Sequence, residues 1–204
     1  MDIRLYHFPG TRSTRVRWLL EELDIAYELE LVDVLQGAHK TADYARERHP
    51  HMLLPAMEID GMRLIESSAM VLHLADLFPD AKLAPPIGTP ERALYYQWIV
   101  YAPATLDEAC VALYFHMHLL PPERRKQDIV IKHRPTWELA AGFLERTLRD
   151  RPFLLGESFS AADVAVGYDV ALAHQLGLTA GRDALSAYAN RLVARPAFQH
   201  AYAR

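Results

Sequence analysis

Residues 53–77, LLPAMEIDGMRLIESSAMVLHLADL, carry the tightest local constraint in the chain. Asp60-Gly61 lies between two apolar runs, and Asp-Gly closes hairpins because glycine takes a positive φ without a Cβ clash. The spacing predicts a strand over Pro55–Ile59, a second over Arg63–Ile65, and a helix opening at Glu66-Ser67. Pro55, at the head of the first strand, either caps an edge strand or takes a cis bond. Met70, Val71, Leu74 and Leu77 then share one helical face, with Ser67 and Ser68 at its start. The first N–H groups of that helix and its positive end face whatever the hairpin presents, an anion site made of backbone.

Upstream, Ile3–Phe8 reads as a buried strand ended by Pro9-Gly10. Val16, Leu19, Leu20 and Leu23 fall at i, i+3, i+4 and i+7, a helix with one buried stripe. Thr11, Ser13 and Thr14 are candidate N-caps for it. Tyr27–Val34 alternates apolar and polar, a half-buried strand, so this span predicts a right-handed βαβ unit. A short helix around Asp43–Arg48 precedes the hairpin, and the order β-α-β-α-β-β-α describes a thioredoxin-like domain over residues 1–78.

Prolines and a glycine then crowd into PDAKLAPPIGTP, a stiff linker over 79–90. Residues 91–204 have helical period throughout. Thr89-Pro90-Glu91 opens the first helix, and Pro103 predicts a kink in it. Thr136–Arg149 is amphipathic through Leu139, Phe143 and Leu144. Ser160 and Asp163 stand at N-cap and N3, where the carboxylate reaches back to the cap amide. Val164–Leu176 behind them is apolar nearly all round and is expected to be the central helix. Ala184–Ala194 and a turn around Pro196–Tyr202 close the chain.

At 204 residues the chain can bury a real core, and its formal net charge of −4 gives no electrostatic pull toward nucleic acid. One cysteine, Cys110, excludes an intrachain disulfide and fits a reducing compartment. No basic n-region with a long apolar stretch opens the chain, and no apolar run is long enough to span a bilayer. The expectation is a cytoplasmic protein without membrane or nucleic-acid partners. His116 and His118 lie on different helix faces, and no second cluster has ligand spacing, so no metal is expected.

Leu54-Pro55-Ala56-Met57, Asp60-Gly61, Leu64 and Glu66-Ser67-Ser68-Ala69-Met70 resemble the "V-P-x-L…D-G…L-x-E-S-x-A-I" run of the cytosolic glutathione S-transferases. Phe159-Ser160-Ala161-Ala162-Asp163 is similar to the "F-S/T-x-A-D" box of that family's helical domain, and Arg195-Pro196-Ala197-Phe198 to its terminal "R-P-A-F". The likeness spans nearly the whole chain. Pro9-Gly10-Thr11-Arg12-Ser13 resembles a bacterial branch, with the class left open. The resemblance implies a thioredoxin-like domain followed by an all-helical one, a homodimer, glutathione as co-substrate, and a cis Pro55.

It also implies roles. A Ser, Thr or Cys in the loop after the first strand meets the glutathione sulfur, which selects Thr11 or Ser13, with Arg12 or a backbone amide as alternatives. Such a thiol has a pKa of ~8.5, and lowering it by about two units needs roughly 2.7 kcal/mol. One hydrogen bond to a charged acceptor supplies ~1.5–3 kcal/mol and a helix N-terminus ~0.3–1, so one hydroxyl suffices. Both hydroxyls could equally serve only as helix caps. Ser67 would take the γ-glutamyl carboxylate and Glu66 its ammonium. Leu54 would pair with the cysteinyl residue as an added strand. Leu53 stands where many members carry a lysine for the glycyl carboxylate. That loss costs about 1 kcal/mol or less, with His39, Lys40, His51 or Arg12 as substitutes. Tyr101, Thr105 and Cys110 are candidates for lining the pocket of an apolar electrophile, in a cleft between the domains.

The activity so implied is conjugation of the glutathione thiolate to a small hydrophobic electrophile. Glutathione-dependent reduction of disulfides or peroxides is an alternative on the same site, and a non-catalytic binding scaffold is another.

Overall fold

In a strand, alternate side chains face opposite sides. Ile3, Leu5 and His7 therefore share one face of the opening strand, Arg4 and Tyr6 the other, and every one but Arg4 is buried. The computed structural model describes residues 1–203, and the chain divides into two units, Met1–Ala81 with the segment from Pro196, and Lys82–Arg195.

The first unit runs β1 (Ile3–His7), α1 (Ser13–Glu22), β2 (Glu28–Leu31), α2 (Ala42–Glu47), β3 (Ala56–Ile59), β4 (Met62–Ile65) and α3 (Ser67–Leu77). Its sheet has the order β2-β1-β3-β4, with β1 parallel to β2 and the other pairs antiparallel, the expected thioredoxin-like layout. Asp60 and Gly61 both take positive φ, 47° and 80°, the two-residue turn that matches strand twist. β2 is shorter than the alternation over Tyr27–Val34 predicts. It lies at a sheet edge, and Leu31 is 64% exposed there. Leu77 likewise leaves the buried stripe of α3, which is Met70, Val71 and Leu74.

The second unit is helical. α4 (Pro90–Tyr101) starts as expected, with Thr89 accepting from the Arg92 amide and Pro90 at the first position. Pro103 sits in a wide π turn over Ala102–Leu106, which loosens the helix where proline cannot donate. α5 (Asp107–Tyr114) continues into a second π turn at Phe115–Leu119. α6 (Gln127–Leu148) begins nine residues before the predicted Thr136 and passes through Pro135. Its buried stripe is Val130, His133, Trp137, Ala140, Ala141, Leu144 and Leu148, and Leu139 points outward. Trp137, fully buried and donating to the Leu178 carbonyl at 3.2 Å, sets this phase. α7 (Ala161–Gln175) is buried from Ala161 to Ala173, the central helix expected. Asp163 accepts from the Ser160 and Leu154 amides at 2.9 Å and from the Tyr188 hydroxyl at 3.0 Å, joining the start of α7 to α8 (Asp183–Val193).

The stretch read as a linker is anchored. Pro79–Ala81 forms a 3-10 turn within the first unit, and the Leu83 carbonyl accepts from Ala161 in the second. The reading of 91–204 as one helical domain needs correction at its end. α9 (Pro196–Tyr202) packs in the first unit, where Phe198 meets Trp18 of α1 edge-on at 4.9 Å. Arg17 holds that segment by donating to the Ala201 and Ala203 carbonyls at 3.2 and 2.7 Å.

Candidate functional site

The loop from β1 to α1 turns at Pro9-Gly10, where Gly10 has φ 79°, and its polar atoms fold back on themselves. Thr11 Oγ1 donates to the Phe8 carbonyl at 2.8 Å and lies 2.7 Å from Ser13 Oγ. Ser13 Oγ accepts from the Phe8 amide at 3.1 Å and sits 2.8 Å from Nδ1 of His7. The two candidate hydroxyls thus occupy different settings. Ser13 is fully buried inside this cluster, whereas Thr11 is half-buried at its edge. Neither caps α1 in the expected way. Arg12 is the N-cap and makes no side-chain cap bond, because the hydroxyls are spent on the loop.

Tyr6 points to the other side of β1 into a cluster with Val32, Tyr44 and Ala56, fully buried, with its hydroxyl 3.4 Å from Glu58. It is a core residue, and that burial raises its pKa.

The hairpin holds the next group. The Leu54–Pro55 bond is cis, as the resemblance implies. Leu54 packs against the Tyr6 cluster, and its N–H and C=O have no partner among the described residues. An edge of this kind accepts an extended peptide. Leu53 is 48% exposed, and its carbonyl takes the Tyr44 hydroxyl at 3.0 Å. Lys40 reaches the same place, with Nζ 3.4 Å from the Met52 carbonyl. Of the four substitutes for the absent lysine, Lys40 is bonded into this loop through its charged atom. The His51 side chain is exposed while its amide donates to His49. Burial lowers the His39 pKa, which favours a neutral ring.

At the start of α3, Glu66 is exposed and holds φ 72°, ψ 105°, a conformation costing ~1–3 kcal/mol that persists at ligand-binding positions. Ser67 behind it is buried, and its Oγ accepts from Nη1 of Arg15 at 2.9 Å. Arg15 is fully buried, so a cation lies beneath the first turn of α3. Because Arg15 belongs to the first turn of α1, that bond brings two helix N-termini together. Positive helix ends and a guanidinium are groups that favour an anion. Sequence reasoning missed Arg15 and His7. Their signal was polar residues at buried phases, Arg15 beside the Val16 stripe and His7 on the face of Ile3 and Leu5.

In the second unit, Tyr101 and Thr105 are half-buried, Tyr101 packing against Trp98 and Phe143 at 5.4 and 5.8 Å between ring centres. Cys110 is 1% exposed and belongs to the core, which corrects its reading as a pocket residue. Among the described residues, no group of three or more His, Cys, Asp or Glu converges as a metal site. No described helix is long and apolar enough to cross a membrane.

Comparison with known proteins bears on this geometry. Residues 1–76 match the family profile "Glutathione S-transferase, N-terminal domain", and residues 132–191 match "Glutathione S-transferase, C-terminal domain". Glutathione S-transferase A of Pleuronectes platessa is 30% identical over 197 residues, covering 91% of this chain and 84% of that protein. Glutathione S-transferase GstA of Escherichia coli O157:H7 is 25% identical over 201 residues, covering 98% and 96%. A glutathione transferase homologue from Sulfitobacter, solved with bound glutathione, superposes at a TM-score of 0.81 with 25% identity, covering 98% and 96%. Matched in both halves and along nearly its full length, the chain belongs to the glutathione S-transferase family.

Proposed function

We propose that this protein binds glutathione and transfers its thiolate to a small hydrophobic electrophile. The observation that carries the reading is the Arg15–Ser67 bond, which sets a buried cation between two helix N-termini where the γ-glutamyl carboxylate would bind. Leu54 would pair with the cysteinyl residue, Lys40 would meet the glycyl carboxylate, and exposed Glu66 would take the ammonium. These are groups of the right charge for each part of a tripeptide with two carboxylates and one amine.

The thiol would then lie near Thr11, the more accessible hydroxyl. Turning its proton from the Phe8 carbonyl to the sulfur gives the thiolate one charge-assisted bond, ~1.5–3 kcal/mol, and the end of α1 adds ~0.3–1. Together these lower the thiol pKa by about two units. Tyr101 and Thr105 are proposed to contact the electrophile. We propose a homodimer, with Leu94 and Val100, both exposed on α4, as the apolar positions that call for a partner surface.

Calorimetric titration with glutathione, followed by turnover of a chloronitrobenzene electrophile, tests the reading. Binding with turnover supports it. Binding with reduction of a peroxide but no conjugation would favour the reductase alternative. No heat at millimolar glutathione would leave only a scaffold role.

A further inference from the structure

Resting on the assignment of Thr11 as the sulfur-facing hydroxyl, we infer that His7 is a positioning residue that fixes the direction of a proton chain, His7 to Ser13 to Thr11. His7 is fully buried, its Nδ1 lies 2.8 Å from Ser13 Oγ, and its Nε2 has no partner among the described residues. Ser13 Oγ lies 2.7 Å from Thr11 Oγ1, and Thr11 Oγ1 donates to the Phe8 carbonyl at 2.8 Å.

Counting protons decides the polarity. Each hydroxyl has one proton, and a neutral imidazole has one N–H. If Nε2 carried it, a buried donor would be orphaned, the costlier defect, and Ser13 would spend its proton on Nδ1. Thr11 would then have no donor behind it. If Nδ1 carries it, Ser13 accepts from both His7 and the Phe8 amide, and its own proton goes to Thr11 Oγ1 at 2.7 Å, the nearer of its two acceptors, the other being the Phe8 carbonyl at 3.3 Å. Thr11 Oγ1 is thereby filled as an acceptor and left with one proton to give, to the Phe8 carbonyl or to a thiolate. Successive donation polarises each O–H along the chain, which strengthens the last bond. The ring stays neutral, since burial and then the Arg17 charge push its pKa down to about 3. The chain therefore keeps one direction across the working range of pH.

The test is the pKa of protein-bound glutathione thiol, read from thiolate absorbance against pH, with glutathione affinity measured in parallel. His7→Leu should raise that pKa by about 0.5 unit, roughly a twofold loss of thiolate at pH 6.5, with affinity within about twofold. His7→Asn, whose amide N–H stands where Nδ1 does, should restore most of the shift. Ser13→Ala cuts the same chain at its middle and should match His7→Leu, which serves if His7→Leu does not fold. The ring tautomer is readable in the free protein by long-range proton–nitrogen correlation, where the expected form has Nδ1 protonated. The relay is overturned by an Nε2–H tautomer, by His7→Leu or Ser13→Ala leaving the thiol pKa unchanged, or by His7→Asn shifting it as far as His7→Leu. A wild-type thiol pKa no lower than that of free glutathione, or one insensitive to Thr11→Ala, would instead overturn the Thr11 assignment and the relay with it.

Discussion

Arg15 reaches from the first turn of α1 to place Nη1 2.9 Å from the hydroxyl of Ser67, the first residue of α3, with both side chains buried. A buried guanidinium needs acceptors and negative charge around it. An incoming carboxylate at the same helix start would add a charge-assisted acceptor close to it. Arg15→Met should therefore raise the Kd for glutathione about tenfold or more, with some loss of stability. Lys40→Ala removes only an exposed contact and should raise it about two- to fivefold. Calorimetry on both variants checks the ranking, and the reverse order would move the main anchor to the α2 side.

Thr11→Ala should raise the thiol pKa of bound glutathione by about 1–2 units and lower kcat/KM about 5–50-fold near pH 6.5. Thr11→Ser keeps the hydroxyl and should lose little. Because the defect is one of ionisation, the gap between wild type and Thr11→Ala should close as pH rises past 9. A gap that stays constant with pH would mean that Thr11 acts on orientation rather than on ionisation.

Asp163 supplies a pH dependence of stability. Burial raises its pKa from 3.8 to about 6, opposed by the bonds it accepts from Leu154, Ser160 and Tyr188. Between pH about 4 and 6 the native state holds this proton and the unfolded state does not, so this group's contribution to stability falls as pH rises. Two units correspond to about 3 kcal/mol. Asp163→Asn cannot titrate, so the advantage of wild type over the variant should narrow by about that amount between pH 4 and 6.5 in urea unfolding. A widening difference would show that the bonds donated to it hold the carboxylate ionised throughout.

Phe198→Ala should cost about 3 kcal/mol, the low end for a buried phenylalanine, because it strips the edge-on contact from fully buried Trp18. The loss should be local. Amide exchange should quicken in α1 and α9 and stay near wild type in α7, and equal quickening everywhere would show the two units to unfold together.

Much of this fold was readable because local signals agreed. Asp60-Gly61 fixed the hairpin, Thr89-Pro90 the start of α4, and Ser160 with Asp163 the start of α7. Errors arose where a stripe could be phased two ways. Leu139 and Phe143 suggest one face of α6, but Trp137 has more surface to bury and turns the helix toward itself. Cys110 stands with Tyr101 and Thr105 among the aromatic-rich helices as a candidate for an apolar pocket, whereas its mid-helix phase puts it in the core. At the site, Ser67, Glu66 and Leu54 were visible as a motif. Arg15 and His7 were not, because a polar residue at a buried phase has no meaning until its partner, 52 or 6 positions away, is known.

Because α9 closes over Trp18, the thioredoxin-like unit is discontinuous in the chain, and the all-helical unit is in effect spliced into it between Ala81 and Pro196. During synthesis on the ribosome, Trp18 cannot make its edge-on contact with Phe198 until the whole intervening helical unit has been made.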